Sequence, residues 1–157
     1  MPNPPRPHRP PRPHRPATDP VGYAAFVQLH RHSYERYARA RLGDRSLATT
    51  VVAQVLRRAE LSWSAALRGD PAAFTWGVLR DSVTTARGEA ADAPADDLHR
   101  ALPDRQADAA LLHERLGLEP KAAAALMGLG EPELQVQLRS ARRILAGLDP
   151  GGRNGGA

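Results

Sequence analysis

The chain has 157 residues, of which 41% are hydrophobic and 4% aromatic, and it contains no cysteine. Disulfides and thiolate metal sites are excluded, and a core must be built mainly from Ala, Leu and Val, which favours helices. The net charge is +5, but residues 1–18 carry +4 and the rest only +1, so strong non-specific phosphate binding by the folded part is not implied. No apolar run approaches the ~20 residues of a membrane span, and no secretory signal is present. We therefore expect a cytoplasmic protein without a membrane partner.

The N-terminal segment repeats "PRPHRP" over 5–10 and 11–16. Proline at this density forbids a helix and favours an extended, polyproline-like chain, so residues 1–19 are predicted to form a disordered Arg/Pro-rich tail. A basic arm that touches nucleic acid or an acidic partner is one interpretation of this tail. A disordered leader is the simpler one.

Three helices are predicted within residues 20–90. The first is broken by "LGD" at 42–44, the second starts near Ser46, and the third starts at Pro71 with Asp70 as its N-cap. His30 and His32 are two residues apart, so they cannot chelate one ion from a helix, and with Asp44 they are predicted to lie at the surface. Residues expected on the inner faces are Phe26, Leu29, Tyr37 and Ala40, then Val51, Val52, Val55, Leu56 and Ala59, then Trp76, Leu79 and Val83.

The acidic, alanine-rich stretch "GEAADAPADD" has no apolar period and indicates a linker, assigned to residues 91–100. Residues 101–147 then predict a second helical segment, in which one helix ends at Gly117, a short one runs from Pro120 to Met127, and a last one starts at Pro132. No segment of the sequence shows a strand pattern that competes with the predicted helices. The predicted fold is all-α, with two small helical bundles joined by a flexible linker, the second a helix-turn-helix, and a flexible tail over 148–157.

The sequence offers little for catalysis or cofactors. No Gly-rich phosphate loop, metal-ligand spacing or nucleophile with a nearby base is present, so the chain is predicted not to be an enzyme and to need no cofactor. Trp63 and Trp76 are predicted to be core or edge anchors, although Trp76 could instead meet a base or a partner.

The last helix carries a polar side that suits nucleic acid. Gln135, Arg139, Arg142 and Arg143 lie off the stripe of Leu134, Leu138 and Leu145. Arginine can bind phosphate or guanine edges with its planar fork, and glutamine can pair with adenine. A short helix, a Gly-containing turn and a longer amphipathic helix are the plan of a helix-turn-helix. The alternative is that these arginines only complement the helix dipole.

Three segments in order resemble the sigma-70 family, in its small extracytoplasmic-function type, over roughly residues 23–147. "YARARLGDRSLATTVVAQVLRRA" at 37–59 resembles the part of region two that binds the clamp helices of RNA polymerase. "GDPAAFTWGVLRDSV" at 69–83 is similar to the following segment, which melts and reads the minus-ten element. "ALPDRQADAALLHERLGLEPKAAAALMGLGEPELQVQLRSARRIL" at 101–145 resembles region four.

The resemblance implies partners and contact residues. Core RNA polymerase and promoter DNA are the implied partners, with an anti-sigma factor as a further one. The implied polymerase-binding residues are Thr50, Ala53, Gln54, Arg57 and Arg58, and the implied DNA-binding residues are Trp76, Arg80, Arg87, Gln135, Gln137, Arg139, Arg142 and Arg143.

The motifs also depart from the family. Thr49, Thr50, Ala53 and Gln54 replace the usual acidic and amide contacts to polymerase, and Asp81, Glu131 and Glu133 place acids where DNA would lie. Two alternatives therefore stay open. One is a degenerate sigma-like module that binds protein and regulates polymerase or another sigma factor without reading promoters. The other is a general nucleic-acid binder that works through its Arg/Pro tail.

Overall fold

The computed structural model describes residues 20–89 and 96–148, and every regular element in these ranges is helical. The all-α prediction is confirmed. None of the described helices is both long and apolar enough to cross a bilayer. The α-helices are α1 Pro20–Leu42, α2 Arg45–Leu61, α3 Trp63–Ala66, α4 Pro71–Glu89, α5 Asp97–Ala101, α6 Asp104–Ala110, α7 Pro120–Met127 and α8 Glu131–Leu148, and a π-helical turn, Leu111–Arg115, extends α6.

The inner face of α1 differs from the predicted one. Leu29 is 74% exposed, whereas His30 is buried, so the predictions for both residues are wrong. The inner face follows the spacing of the partly buried Phe26 and the buried His30, Tyr34 and Tyr37. The His30 ring packs edge-on against Phe26 at 4.6 Å. The histidine is tolerated there because its ring packs between aromatic rings, as an apolar side chain would.

Helices α2 and α4 form as the sequence predicts. All the residues expected on their inner faces are buried, because each set recurs at helical spacing. Asp44 caps α2 by accepting a hydrogen bond from the Leu47 amide, and Asp70 caps α4 by accepting one from the Ala72 amide at 2.9 Å. Both tryptophans are buried, as predicted for core anchors.

The second helical segment begins earlier than predicted. Residues 97–100 were assigned to the linker but belong to α5, where Leu98 is buried. Asp96 caps this helix through the His99 amide at 3.0 Å, and the same carboxylate oxygen faces the His99 ring. One of the acidic residues that suggested a linker, Asp96, is therefore a helix cap. Leu148, assigned to the C-terminal tail, is the last residue of α8, and the predictions for residues 1–19, 90–95 and 149–157 lie outside the described residues.

One hydrophobic core runs through both helical segments. Trp76 of α4 and Leu112 of the π-helical turn belong to the same cluster of buried residues, as do Val52 of α2 and Leu134 of α8. Helix α4 packs directly against α7. Separate folding of residues 20–90 and 101–147 stays a prediction, but in this structure each segment covers part of the other.

The turn after α7 is fitted closely to α4. Gly128 adopts φ +68° in the left-handed region, and a Cβ at this position would lie 2.4 Å from the Cα of Ala73. Gly43, after α1, has nearly the same φ, +69°, but a Cβ there would meet no atom within 4 Å. Glycine at 128 is thus required by conformation and by space, whereas Gly43 is required by conformation alone.

We expect Gly128→Ala to destabilise the protein more than Gly43→Ala. Both substitutions carry the left-handed penalty of about 1–2 kcal/mol, but only the first also overlaps the backbone of α4, which typically costs about 1–3 kcal/mol more. The free energies of unfolding, measured by urea denaturation of the full chain, give the comparison. Equal losses for the two variants would contradict the close packing of the turn on α4.

Candidate functional site

Helices α7 and α8 are joined by a short turn that contains Gly128 and Gly130, as the turn of a helix-turn-helix often contains glycine. After Met127 the chain reverses at Gly128, whose amide donates to the Ala125 carbonyl while the Leu129 amide donates to the Ala124 carbonyl at 2.8 Å. These two bonds form a Schellman cap, which ends a helix with a glycine in the left-handed region. The buried residues of these two helices are Ala123, Ala124, Leu126, Met127, Leu134, Leu138 and Ala141.

The polar residues predicted on α8 do not form one surface. With about 100° per residue, Arg139 and Arg143 lie together on the outer face with Val136, which is 51% exposed. Gln135 and Arg142 lie along one flank, and Gln137 lies on the opposite flank. Both glutamines are half-buried, whereas the three arginines are exposed.

Among these arginines, Arg142 already has a protein partner. Its guanidinium donates to Glu114 Oε1, with nitrogen–oxygen distances of 2.6 and 3.0 Å. Arg139 and Arg143 form no ion pair or hydrogen bond within the described part of the chain. An exposed ion pair contributes about 0–1 kcal/mol, so Arg142 could exchange its partner, but Arg139 and Arg143 offer the more accessible charges.

The residues predicted to contact polymerase form a continuous exposed strip on α2. Thr50, Ala53, Gln54, Arg57 and Arg58 are all exposed and recur at spacings of three and four, opposite the buried valines. Beside this strip runs a groove of about 410 Å³ between α2 and α4, lined in part by Thr50, Gln54 and Arg58. The strip presents two arginines and no acidic side chain.

On α4 the structure separates the three predicted DNA-binding residues. Trp76 is only 5% exposed and its ring packs 4.6 Å from that of Tyr37, so it has no free face for a base. Arg87 donates to the Arg41 carbonyl at 2.9 Å and so ties α4 to α1. Arg80 is partly exposed and lines a pocket with Gly128 and the residues around it. Its Nε lies 3.9 Å from Asp81 Oδ1 in an exposed ion pair, so of the three residues Arg80 is the one whose side chain can still reach a partner.

A buried cluster of charged groups, which the sequence interpretation missed, lies between α1 and the start of the second segment. Tyr37 donates its hydroxyl hydrogen to Asp108 Oδ1 at 2.7 Å and accepts a hydrogen bond from Arg41 at 3.0 Å. Arg41 also forms an ion pair with Asp96, at 3.1 Å between Nε and Oδ2. His99 lies between the carboxylates of Asp96 and Asp108. Arg41 and Tyr37 contact the same two carboxylates from α1.

Two signals in the sequence could have revealed this cluster. Asp108 interrupts the apolar run from Ala107 to Leu112, and an acid inside such a run needs a buried partner. Tyr37 and Arg41 are four residues apart and therefore neighbours on one helix face. No sequence signal could have paired them with Asp108, because Tyr37 and Asp108 are 71 positions apart in the chain and only tertiary packing brings them together.

Burial and pairing shift the pKa values of several groups in the core. Burial raises the pKa of Tyr37 well above its usual value, and the negative charge of Asp108 raises it further. Burial alone would lower the pKa of His99, but hydrogen bonds to Asp108 and Asp96 outweigh it, and the pKa is raised. Burial lowers the pKa of His30, for which no described carboxylate offsets it. The two buried histidines thus shift in opposite directions for an identifiable reason.

The described residues, 20–89 and 96–148, contain no group of three or more His, Asp or Glu side chains that could hold a metal ion. In the buried cluster Arg41 supplies a positive charge to both carboxylates, with Nε 3.1 Å from Asp96 Oδ2 and Nη1 3.9 Å from Asp108 Oδ1.

Comparison with protein-family models gives no match for this chain, and neither does comparison with curated proteins. The sigma-like interpretation rests on the three sequence segments and on the exposed faces of α2 and α8.

We expect Tyr37→Phe to lower the free energy of unfolding by about 1–3 kcal/mol, because it removes a donor from a buried carboxylate and an acceptor from a buried guanidinium. Tyr34→Phe is the matched control: this ring is equally buried on the same helix, and its hydroxyl has no hydrogen-bond partner among the described residues. Urea denaturation of both variants measures the difference. Losses of the same size would show that the contacts of the Tyr37 hydroxyl contribute nothing.

Proposed function

We propose that this protein is a sigma-factor-like transcription initiation protein, which binds core RNA polymerase through α2 and promoter DNA through α8. The observation that carries the proposal is the exposed pair Arg139 and Arg143 on the outer face of the second helix of a helix-turn-helix. Such a protein acts by contact alone, without catalysis or a cofactor, and it works in the cytoplasm, where RNA polymerase is found.

The chemistry of α8 supports the DNA-binding half of the proposal. An α-helix fits the major groove, and an arginine fork can bind the O6 and N7 atoms of guanine or a phosphate. Arg139, nearer the start of the helix, is suited to a base edge, because recognition helices present their N-terminal residues to bases. Arg143, one turn further along, is suited to the phosphate backbone.

The chemistry of α2 supports the polymerase-binding half. Its exposed strip lies on a helix whose opposite side is fixed in the core, so the strip is presented rigidly. Arg57 and Arg58 give it positive charge, and Leu61, which is 78% exposed one turn later, adds an apolar contact. Arginine and exposed apolar side chains are typical of protein interfaces.

A second candidate function, a sigma-like module that binds protein without reading promoters, is favoured by the acids at the start of α8. Glu131 and Glu133 are exposed there, at the helix end that would approach DNA. They suit the helix dipole but repel phosphate. The burial of Trp76 favours this candidate too, since melting promoter DNA needs exposed side chains to hold the separated bases.

The DNA-binding half is tested by replacing the free arginines of α8 in the full chain. Arg139→Ala should cost about 1–3 kcal/mol of binding and relax sequence preference, whereas Arg143→Ala should weaken binding to all sequences alike. Fluorescence anisotropy at two salt concentrations, on duplexes enriched from a random pool, measures both effects. Arg68→Ala, an exposed arginine before α4, is the control. Variants that bind like the wild type would refute DNA binding by α8.

The polymerase-binding half is tested by reversing the charge of the α2 strip. We expect Arg57→Glu combined with Arg58→Glu to reduce co-elution with core RNA polymerase while circular dichroism stays unchanged, because both side chains are exposed. Arg68→Glu should have little effect. Wild-type protein that fails to co-elute at low salt would refute the sigma-like proposal, whereas co-elution without promoter-directed transcription would favour the protein-binding module.

A further inference from the structure

His99 has a carboxylate oxygen against each of its ring nitrogens. Nδ1 lies 2.9 Å from Asp96 Oδ1, and Nε2 lies 2.8 Å from Asp108 Oδ1. The three side chains are largely shielded from solvent, with 8% of His99, 15% of Asp96 and 1% of Asp108 exposed. Water cannot readily replace either contact.

With both carboxylates ionised, this geometry requires a protonated ring. A neutral imidazole has one N–H donor and one lone pair, whereas an imidazolium donates from both nitrogens. If His99 were neutral, a lone pair would face a carboxylate oxygen at hydrogen-bond distance, which is repulsive. The proton on His99 is therefore part of the structure of the cluster.

The charges of the cluster balance only with that proton in place. Asp96 and Asp108 supply two negative charges, and Arg41 and His99 supply two positive charges. Loss of the proton leaves an uncompensated negative charge in a buried site, which is strongly unfavourable. The Tyr37 hydroxyl cannot compensate, because it already donates to Asp108.

The same cluster provides most of the polar connection between the two helical segments. Within the described residues, side-chain hydrogen bonds and ion pairs cross from 20–89 to 96–148 at two places. Arg36 donates to the Leu116 carbonyl at 2.5 Å. All the others link Tyr37 or Arg41 to Asp96 or Asp108, the carboxylates that His99 holds.

We propose that His99 is a proton-dependent clasp, which holds helices α5–α8 against α1–α4 while its ring is an imidazolium and releases them when the proton is lost. This inference concerns the association of the two segments and does not depend on the proposed function. Apart from the bond from Arg36 to the Leu116 carbonyl, the contact that opposes release is mainly apolar, including the turn at Gly128 on Ala73.

The direction of the pH effect follows from the groups around His99. Its pKa is raised in the folded state, so its contribution to stability is fully present below the ordinary histidine value of about 6.5 and is lost as pH rises through the folded-state pKa. Asp96 and Tyr37 keep their protonation states in that window. The pKa of Asp96 is lowered, so this carboxylate stays charged. The pKa of Tyr37 is raised well above its usual value, so its hydroxyl keeps the hydrogen that it donates.

Arg41 from α1 stays positive throughout, and so does Arg87 from α4, which contacts the Arg41 carbonyl. Release is therefore expected on the alkaline side of the ordinary histidine range, with the helices themselves intact.

The absence of cysteine allows a direct test in the full chain. Ala53→Cys on α2 and Lys121→Cys on α7 place spin labels at two exposed positions, one in each segment. Double electron–electron resonance should give one narrow distance at about pH 6, and a broad second population that grows several-fold by about pH 9. Far-UV circular dichroism should change little over this range.

Two variants identify the titrating group. His99→Gln, which stays neutral, should show the broad population already at the lower pH and lose its pH dependence. His32→Gln, which removes an exposed histidine of α1, should keep the wild-type transition. A transition that survives in His99→Gln would overturn the proposal, because another group would then be responsible.

Nuclear magnetic resonance of the ring signals keeps the test decisive if His99→Gln does not fold. In the wild type, the His99 ring should lose its proton at a higher pH than the His30 ring, and over the same interval as the distance change. If His99 loses its proton while the distance distribution stays narrow, or keeps its proton up to about pH 9, the clasp is refuted.

Discussion

Two positive and two negative side chains meet in a region of this protein from which water is nearly excluded. Arg41 comes from the end of α1, Asp96 and His99 from the start of α5, and Asp108 from the middle of α6. A buried charge is costly unless partners surround it at short distance. The need to pair these groups therefore fixes where α5 and α6 lie against α1, and α8 packs in turn on α6.

This constraint determines which surfaces face solvent. With α4 packed on α7, the turn at Gly128 is covered by the first turns of α4. The outer face of α8 and the exposed strip of α2 remain uncovered. These are the two surfaces that the proposed function uses, and a release of the clasp would change their relative position without changing either one.

The arginines illustrate how tertiary structure assigns different tasks to one residue type. Arg41 and Arg87 connect α1 with its neighbours, and Arg142 pairs with Glu114. Arg139 and Arg143 stay free of protein partners in the described residues. The sequence shows all five as basic residues on amphipathic helices, so only the packing separates the arginines that hold the fold from those that can bind a partner.

The sequence by itself determined the elements with strong local signals. The valine stripe of α2, the Asp70 cap with Pro71, and the glycine turn between α7 and α8 depend on periodicity, on a side chain next to its own backbone, or on a left-handed φ. Only the tertiary structure decided the environments of His30 and Asp108. Burial and charge pairing there are set by residues distant in the chain, and no local pattern records which distant side chain will arrive.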